Sequence, residues 1–386
     1  MKTTLKALAI SAFALGMGGV AQAETQGVTP TEVVVGSVSD LSGIFAAVGV
    51  PAVNGANLRF KEVNDAGGVH GRKIKFIVED HGYQLPKATQ GFNKLINRDG
   101  VFAMLLSLGT PMNLAGFQLM NPKGIQNISP LSSAREMLQE PIDNKFVSFS
   151  SYYDQVKGGL AYLSSTYGLK KVCAMYLPTD FGKEIATSAK EQAATFGMEF
   201  VSETTHKPDE QDFVGAVQKL RADGCEVVAM ALGVRAGITV VGTAKQLGWT
   251  EAKFLNTSAG FLEVVAAVPG GVTEGLYAAA GWQDMVGRMD LPAVKAFAEA
   301  YQAAYSQPAS GFGMLGYTGA DTFVRALEAA GPDLTQESFR AGMESLNYDS
   351  ELLGTTINFT TGSHQGANDV IISVVEGGIW KMVGKQ

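Results

Sequence analysis

Two loops rich in hydroxyl side chains have the composition of an anion-binding site. Residues 105–111 end an apolar run and begin a helical pattern, and residues 128–136 repeat that arrangement after the next apolar run. The unpaired N–H groups at the start of a helix attract negatively charged groups. Alternatively, Thr110 and Ser133 only cap helices, Ser133 in a capping box with Glu136. The residue pattern alone favours capping and leaves anion binding open.

Other candidate contact residues follow predicted strands in the second half of the chain. Tyr152 and Tyr153 lie just before a helical pattern that begins at Asp154, and Phe181 follows the run that ends at Leu177. Two loops further on contain Arg235 and Ser258. Aromatic residues in such positions usually belong to a core, and a loop arginine is usually solvated. Both the structural and the ligand-binding interpretation of these residues remain open.

The sequence argues against catalysis and against nucleic-acid binding. It contains no Gly-x-Ser-x-Gly motif, and Gly182-Lys183 lacks the glycine spacing of a phosphate-binding loop. The four histidines are isolated from one another and from cysteine, so we expect no metal site and no cofactor, and we expect His81 on the surface. The net charge of −7 disfavours nucleic acid as a partner.

One βαβ unit, residues 31–82, sets the architecture that positions these loops. The runs 33–38 and 73–78 are β-branched, as expected of buried parallel strands. Between them the apolar residues recur at helical spacing, and the glycines at 67 and 68 end the helix. Open α/β sheets bind ligands beyond the carboxyl ends of their strands.

Apolar runs and helical patterns alternate along most of the chain, which predicts an α/β fold. After residue 280 three helices follow without alternating strands, and 370–383 reads as a hairpin joined at 376–378. We therefore expect two doubly wound parallel-sheet lobes of like topology. The runs lie near Val33, Ile74, Val101, Ile125, Phe146, Val172, Glu199, Val227, Phe254 and Leu276.

The glycine-rich segment of the first unit resembles the leucine/isoleucine/valine-binding family, which are type I periplasmic solute-binding proteins of ABC transporters. The matching positions are 39–43, 49, 55–57, 64, 67–68, 71 and 79–80. This resemblance implies two lobes joined by a three-strand hinge. It places 24–151 plus 281–355 in lobe one and 152–280 plus 356–386 in lobe two. It also implies crossings at 149–153, 280–284 and 353–357.

The same resemblance implies ligand-binding roles for the hydroxyl-rich loops. In that family, hydroxyls and N–H groups at these loops hold the ligand α-carboxylate, and Phe181 matches an aromatic position. An acidic residue of the family that neutralises the ligand ammonium corresponds here to Ser258. We therefore expect an aromatic or branched acid without an amino group, unless Asp40, Asp80 or Asp284 supplies the charge. The matching loop positions are Ser107, Gly109, Thr110, Ser132 and Ser133.

The N-terminus has the features of a secretory signal. Two lysines precede an apolar run, and Ala21-Gln22-Ala23 offers small residues for cleavage after 23. We expect export to the periplasm, no membrane insertion of the mature chain, a monomeric state, and delivery of ligand to an ABC permease. An amide- or urea-type ligand and a role as the sensing part of a receptor system are the alternatives.

Cys173 and Cys225 are the only cysteines. An oxidising compartment permits a disulfide. However, Cys173 lies inside a predicted strand and Cys225 just before a neighbouring one, and this stagger predicts Cα atoms farther apart than the ~7 Å that a disulfide allows.

Overall fold

The computed structural model describes residues 25–386, so the predicted signal segment lies outside the described residues. The strands are β1 Glu32–Ser39, β2 Lys73–Asp80, β3 Ala103–Leu105, β4 Gln126–Ile128, β5 Lys145–Phe146, β6 Lys171–Tyr176, β7 Glu199–Thr205, β8 Val227–Ala231, β9 Lys253–Thr257, β10 Tyr277–Ala280, β11 Asn347–Ser350, β12 Thr355–Asn358, β13 Ile371–Glu376 and β14 Ile379–Lys385. The helices are α1 Ala46–Asp65, α2 Leu85–Asn93, α3 Thr110–Met120, α4 Tyr152–Tyr167, α5 Asp180–Thr195, α6 Val214–Ala222, α7 Val234–Gln246, α8 Glu263–Ala266, α9 Pro292–Tyr305, α10 Gly311–Ala330 and α11 Gln336–Glu344.

Two large sheets of like topology form the lobes, and β11 and β12 form a separate two-stranded antiparallel sheet. The first has the strand order β2-β1-β3-β4-β5, and all of its strands are parallel. The second has seven strands, and its segment β7-β6-β8-β9-β10 repeats the order of the first sheet. We call each sheet with its packed helices the first and the second lobe. The prediction of two doubly wound lobes is confirmed.

The C-terminal hairpin completes the second sheet. β13 pairs antiparallel with β10, and β14 pairs with β13. Gly377 and Gly378 both have positive φ, 66° and 77°, as a two-residue type I′ turn requires. The hairpin predicted at 370–383 is therefore confirmed.

The helices that follow β10 pack on the first lobe. Phe323 in α10 contacts Phe60 in α1, with ring centroids 6.1 Å apart. The two helices cross closely, because a Cβ at Gly316 would lie 1.8 Å from the carbonyl oxygen of Ala52. α10 thus lies beside the carboxyl ends of the first sheet although it is distant in sequence.

Three connections join the lobes, at 147–151, 281–291 and after β12. The last begins later than the predicted 353–357. Val147 N–H donates to the His364 carbonyl (2.9 Å), and Gly366 N–H donates to the Val147 carbonyl (2.8 Å). Because residues 364–366 extend the edge of the first sheet, the chain passes to β13 only between 366 and 371.

A disulfide joins Cys173 and Cys225, so the predicted separation was wrong. Their Cα atoms are 5.8 Å apart. Cys225 still belongs to the turn after α6, since its N–H donates to the Leu220 carbonyl (3.1 Å), and β8 begins only at Val227. The chain therefore bends between Cys225 and β8, since the sheet partner of Cys173 is Val228, three residues after Cys225.

Candidate ligand-binding site

A cavity of about 800 Å³, including the part open to solvent, lies at the carboxyl ends of the first sheet and faces the second lobe. Its aromatic lining consists of Phe45, Tyr83, Phe149, Tyr152, Phe181, Trp282 and Phe312. Its hydroxyl-bearing lining consists of Thr110, Ser129, Ser132, Ser133, Ser148, Ser258, Thr318 and Thr322. The remaining lining residues are aliphatic, proline or glycine, so the described lining contains no Asp, Glu, Lys, Arg or His.

Residues with unusual backbone conformations border this cavity. Leu106 (φ 56°) directly follows β3, Ser129 (φ 46°) directly follows β4, and Tyr83 has φ 55°. Residues other than glycine rarely adopt a positive φ, because this conformation costs on the order of 1–3 kcal/mol for each residue. Leu106 N–H still donates to the neighbouring strand at Ile128 (3.1 Å), so the turn begins only after the sheet hydrogen bond. The backbone strain at Leu106, Ser129 and Tyr83 is therefore located at the wall of the cavity.

The first hydroxyl-rich loop leads into α3. Gly109, with φ 98°, is the N-cap and Thr110 is the first helical residue, so the predicted capping role of Thr110 was wrong. The Thr110 hydroxyl instead lies 2.8 Å from the Ser132 hydroxyl, which joins the two loops. Tyr152 also lines the cavity, and burial raises the pKa of its hydroxyl to about 12. These groups form one polar end of the cavity.

Ser133 lies beside this polar end and is not a helix cap. The short 3₁₀ turn Arg135–Leu138 follows Ala134 and has no side-chain cap, so the capping box with Glu136 is not formed. The Ser133 carbonyl accepts the N–H of Tyr152 (2.7 Å). Ser133 also lines the cavity.

Ser107 differs from the other predicted residues of the two loops. It is fully buried in the sheet, where its hydroxyl accepts the Val38 N–H (3.3 Å). Its carbonyl accepts the N–H of Leu131 (2.9 Å) and the side-chain amide of Asn113 (2.9 Å). Ser107 therefore positions both loops but does not line the cavity.

The second lobe contributes Phe181 and Ser258. Phe181, in the first turn of α5, makes edge contacts with Tyr152 and with Phe45 of the first lobe, at 5.4 and 5.8 Å between centroids. Ser258 follows β9, and its N–H donates to the Gln155 side chain (2.9 Å). Both residues close the cavity from the side opposite the hydroxyl loops.

Tyr153 and Arg235 do not line the cavity. Successive helical residues point about 100° apart, so α4 directs Tyr152 inward and Tyr153 outward. The Tyr153 hydroxyl donates to Glu191 (2.8 Å), and the Arg135 guanidinium lies 3.8 Å from its ring centroid. Arg235 is exposed on α7, which begins one residue earlier where a loop was expected.

The acids considered as ammonium partners are engaged elsewhere. Asp40 accepts the N–H groups of its own turn, at 2.6 Å from Gly43, and Asp80 accepts those of Leu41 and Gly82. Asp284 accepts N–H groups two and three residues ahead. Glu263 accepts the Gly311 N–H (2.5 Å) at the start of α10.

His81 is fully buried, which contradicts the expected surface position. Its Nδ1 accepts the Tyr83 N–H (2.9 Å), and its Nε2 donates to the Leu108 carbonyl (3.2 Å). Burial lowers the pKa of His81, in keeping with the neutral ring that this pattern requires. These two hydrogen bonds of His81 fix the turn after β2 that contains Tyr83.

An ion pair crosses between the lobes beside the cavity. Arg135 of the first lobe donates from Nε (2.7 Å) and Nη2 (3.0 Å) to the carboxylate of Glu184 in α5. The Glu184 side chain is 4% exposed, whereas that of Arg135 is 47% exposed. The lobes are therefore held together in this structure by a bidentate contact.

Sequence reasoning missed the contribution of α10. Phe312, Leu315, Thr318 and Thr322 line the cavity from one face of this helix, some 200 residues beyond the two loops. Their spacing gives an apolar stripe typical of any buried helix. Only the tertiary arrangement distinguishes this stripe from ordinary core.

Comparison with known proteins fits this architecture. The sequence profile of the "Periplasmic binding protein" family matches residues 32–378. The chain belongs to this family. Periplasmic binding proteins are solute-binding proteins and not an enzyme family. No helix among residues 25–386 combines the length and apolarity needed to cross a membrane.

Relatives of this periplasmic binding protein bind different solutes. An "Amino acid binding protein" of Pseudomonas aeruginosa is 25% identical over 305 residues, 78% of this chain and 79% of that protein. A fatty acid ABC transporter substrate-binding protein from Thermomonospora curvata has 26% identity and a TM-score of 0.82, over 93% of each chain. A branched-chain amino acid ABC transporter protein from Thermus thermophilus with bound valine shares the fold, with 22% identity and a TM-score of 0.84 over 92% and 96% of the chains.

Proposed function

We propose that this chain is the substrate-binding component of an ABC importer and traps a carboxylate without an α-amino group between its lobes. The observation that carries the proposal is the uncharged lining of the cavity among the described residues. A buried ammonium without a carboxylate partner costs several kcal/mol. An amino acid would therefore bind poorly, whereas hydroxyl and N–H donors can satisfy a carboxylate.

The polar end of the cavity supplies suitable donors for the ligand carboxylate. The Ser133 hydroxyl lies there, together with the joined hydroxyls of Thr110 and Ser132. The N–H groups of Thr110 and Met112 belong to the first turn of α3, which has no intrahelical acceptors for them. We assign the carboxylate to this end, with Gly109 allowing its close approach, and the apolar body to the aromatic walls around Phe181 and Ser258.

Ligand capture requires that the lobes open and close. We place the hinge at the three connections, with 24–151 and 281–355 in lobe one and 152–280 and 367–386 in lobe two. Residues 356–366 go with lobe one because of their hydrogen bonds to Val147. In this proposal the protein acts as a monomer, performs no chemistry, and presents the closed lobes to a membrane permease.

Export to the periplasm is part of the same proposal. Residues 1–23 have the pattern of a cleaved signal. The disulfide between Cys173 and Cys225 supports an oxidising compartment.

Calorimetric titration of matched ligand pairs tests the proposed function. Leucine, valine and phenylalanine are compared with 4-methylpentanoate, 3-methylbutanoate and 3-phenylpropanoate, which differ from them only by the amino group. We expect the plain acids to bind and to raise the melting temperature. Tight binding of the amino acids, with none of the plain acids, would overturn the proposal.

A further inference from the structure

The cavity continues beyond the cleft into the first lobe. Phe312 and Thr322 both line it and lie ten residues apart on α10, which is about 15 Å along the helix axis. Phe312 lies at the cleft, with its ring 5.9 Å from that of Trp282. The cavity therefore extends along the helix into the lobe, where no residue of the second lobe lines it.

We call this inner part the annex and define it by Leu106, Leu315, Thr318, Thr322, Leu353 and Ile357. The four aliphatic members are 1–5% exposed. The hydroxyls are satisfied within the protein. Thr318 donates to the Met314 carbonyl (2.9 Å), and Thr322 bonds to the Tyr348 hydroxyl (2.7 Å). The annex thus offers methyl and methylene surface without an unpaired polar group that would hold water.

Backbone geometry keeps the annex open. The positive φ at Leu106 and Ser129 turns the chain sharply at the ends of two adjacent strands. α10 packs directly on these residues at Gly319, where a Cβ would lie 2.9 Å from Leu106 Cδ2. Gly319 allows this close approach of helix and sheet, and Thr318 and Thr322 of the same helix border the annex beside the contact.

We propose that the annex binds the alkyl chain of the ligand, so that the physiological ligand is a monocarboxylate with a chain longer than a branched-chain amino acid side chain. This inference rests on the proposed function, which places the carboxylate at the hydroxyl end. The aromatic walls around Phe181 and Ser258 hold the part of the apolar body next to the carboxylate, and a longer tail can continue along α10 into the annex. A short acid leaves the annex empty, and a longer acid fills it.

A homologous series of straight-chain acids tests the annex. Titration with butanoate, hexanoate, octanoate, decanoate and dodecanoate should show affinity rising about fourfold for each added methylene until the annex is full. Thr318→Leu fills the annex and removes only hydroxyl bonds to carbonyls of its own helix. This variant should lose the gain for the longer acids, so that its affinity no longer rises with chain length.

Thr89→Leu is the matched control, because Thr89 makes the same kind of bond to Leu85 (3.0 Å) on an exposed helix face. If Thr318→Leu does not fold, Ile357→Phe fills the annex from the opposite wall. Short acids that bind without a chain-length gain, or an equal gain in the filled variant, would overturn the annex proposal and leave the proposed function standing. Failure of every acid to bind would overturn the proposed function and the annex with it.

Discussion

The two lobes share one strand order, yet their strand ends differ where they face each other. In the first lobe β3 and β4 end in the positive-φ residues Leu106 and Ser129, and loops then return across the sheet. In the second lobe β8 and β9 lead without such turns into α7 and the turn at Ser258. The first lobe consequently supplies most of the cavity wall, and the second supplies a closing face. The same strand order thus forms most of the cavity wall in one lobe and a closing face in the other, and the difference lies in the positive φ of Leu106 and Ser129.

The largest effect should come from removing the disulfide of the second lobe. Replacing Cys173 and Cys225 together by alanine should lower the free energy of unfolding by about 2–5 kcal/mol. Neither cysteine lines the cavity, so the ligand dissociation constant should not change. Urea unfolding and calorimetry report the two quantities separately. If the variant lost affinity as well as stability, the disulfide of the second lobe would also be needed for ligand binding, which would contradict this prediction.

Ser133→Ala should weaken acid binding while leaving the fold intact. A hydroxyl that bonds to a carboxylate contributes roughly 1.5–3 kcal/mol, which is about 10- to 100-fold in affinity. Ser165→Ala is the control, since Ser165 is an exposed residue that bonds only to its own helix. Unchanged calorimetric affinity in the Ser133 variant would contradict the placement of the carboxylate in the first lobe.

Glu184→Gln should destabilise the closed arrangement of the two lobes. It weakens the bidentate contact with Arg135, and because the arginine is half exposed we expect a loss of only about 1 kcal/mol, roughly fivefold in affinity. Small-angle scattering should show a more open ligand-free molecule, and saturating ligand should close it. Glu191→Gln, on the same helix, is the control. Identical scattering with and without ligand in both variants would contradict the hinge.

The last expected effect is a dependence of stability on pH, which should leave ligand affinity unchanged because Glu263 does not line the cavity. Burial raises the pKa of Glu263 to about 7, and the negative charge of Asp284 adds to this. Between the ordinary glutamate pKa of 4.5 and about 7, the folded state therefore holds more protons than the unfolded chain. The contribution of Glu263 to stability is full below pH 4.5 and is lost as the pH rises through 7. Glu263→Gln keeps the acceptor for Gly311 and should gain about 3 kcal/mol at pH 8, since one pKa unit corresponds to about 1.4 kcal/mol.

Thermal unfolding of this variant from pH 5 to 8 gives the measurement. Its advantage over the natural chain should shrink toward pH 5, and Glu299→Gln, an exposed helical position, should show no such trend. A constant difference across this range would show that Glu263 does not titrate there.

The sequence predicts the order of elements well because strand and helix periodicities are local. It could not decide which of Tyr152 and Tyr153 points into the cavity. Successive helical residues point about 100° apart, so the first residue of α4 must be known before either side chain can be oriented. It also missed α10, whose stripe looks like ordinary core until the helix is placed against Leu106. The cysteine pairing was missed because it depends on a bend before β8 that no spacing reveals.

The uncharged cavity also affects the rate of ligand capture. A basic pocket attracts an anion over a distance, but here the described lining offers no such field and the chain carries a net charge of −7. A carboxylate ligand is therefore repelled at long range and held only after contact. Added salt screens the repulsion, so association should become faster as ionic strength rises, the opposite of electrostatically steered capture.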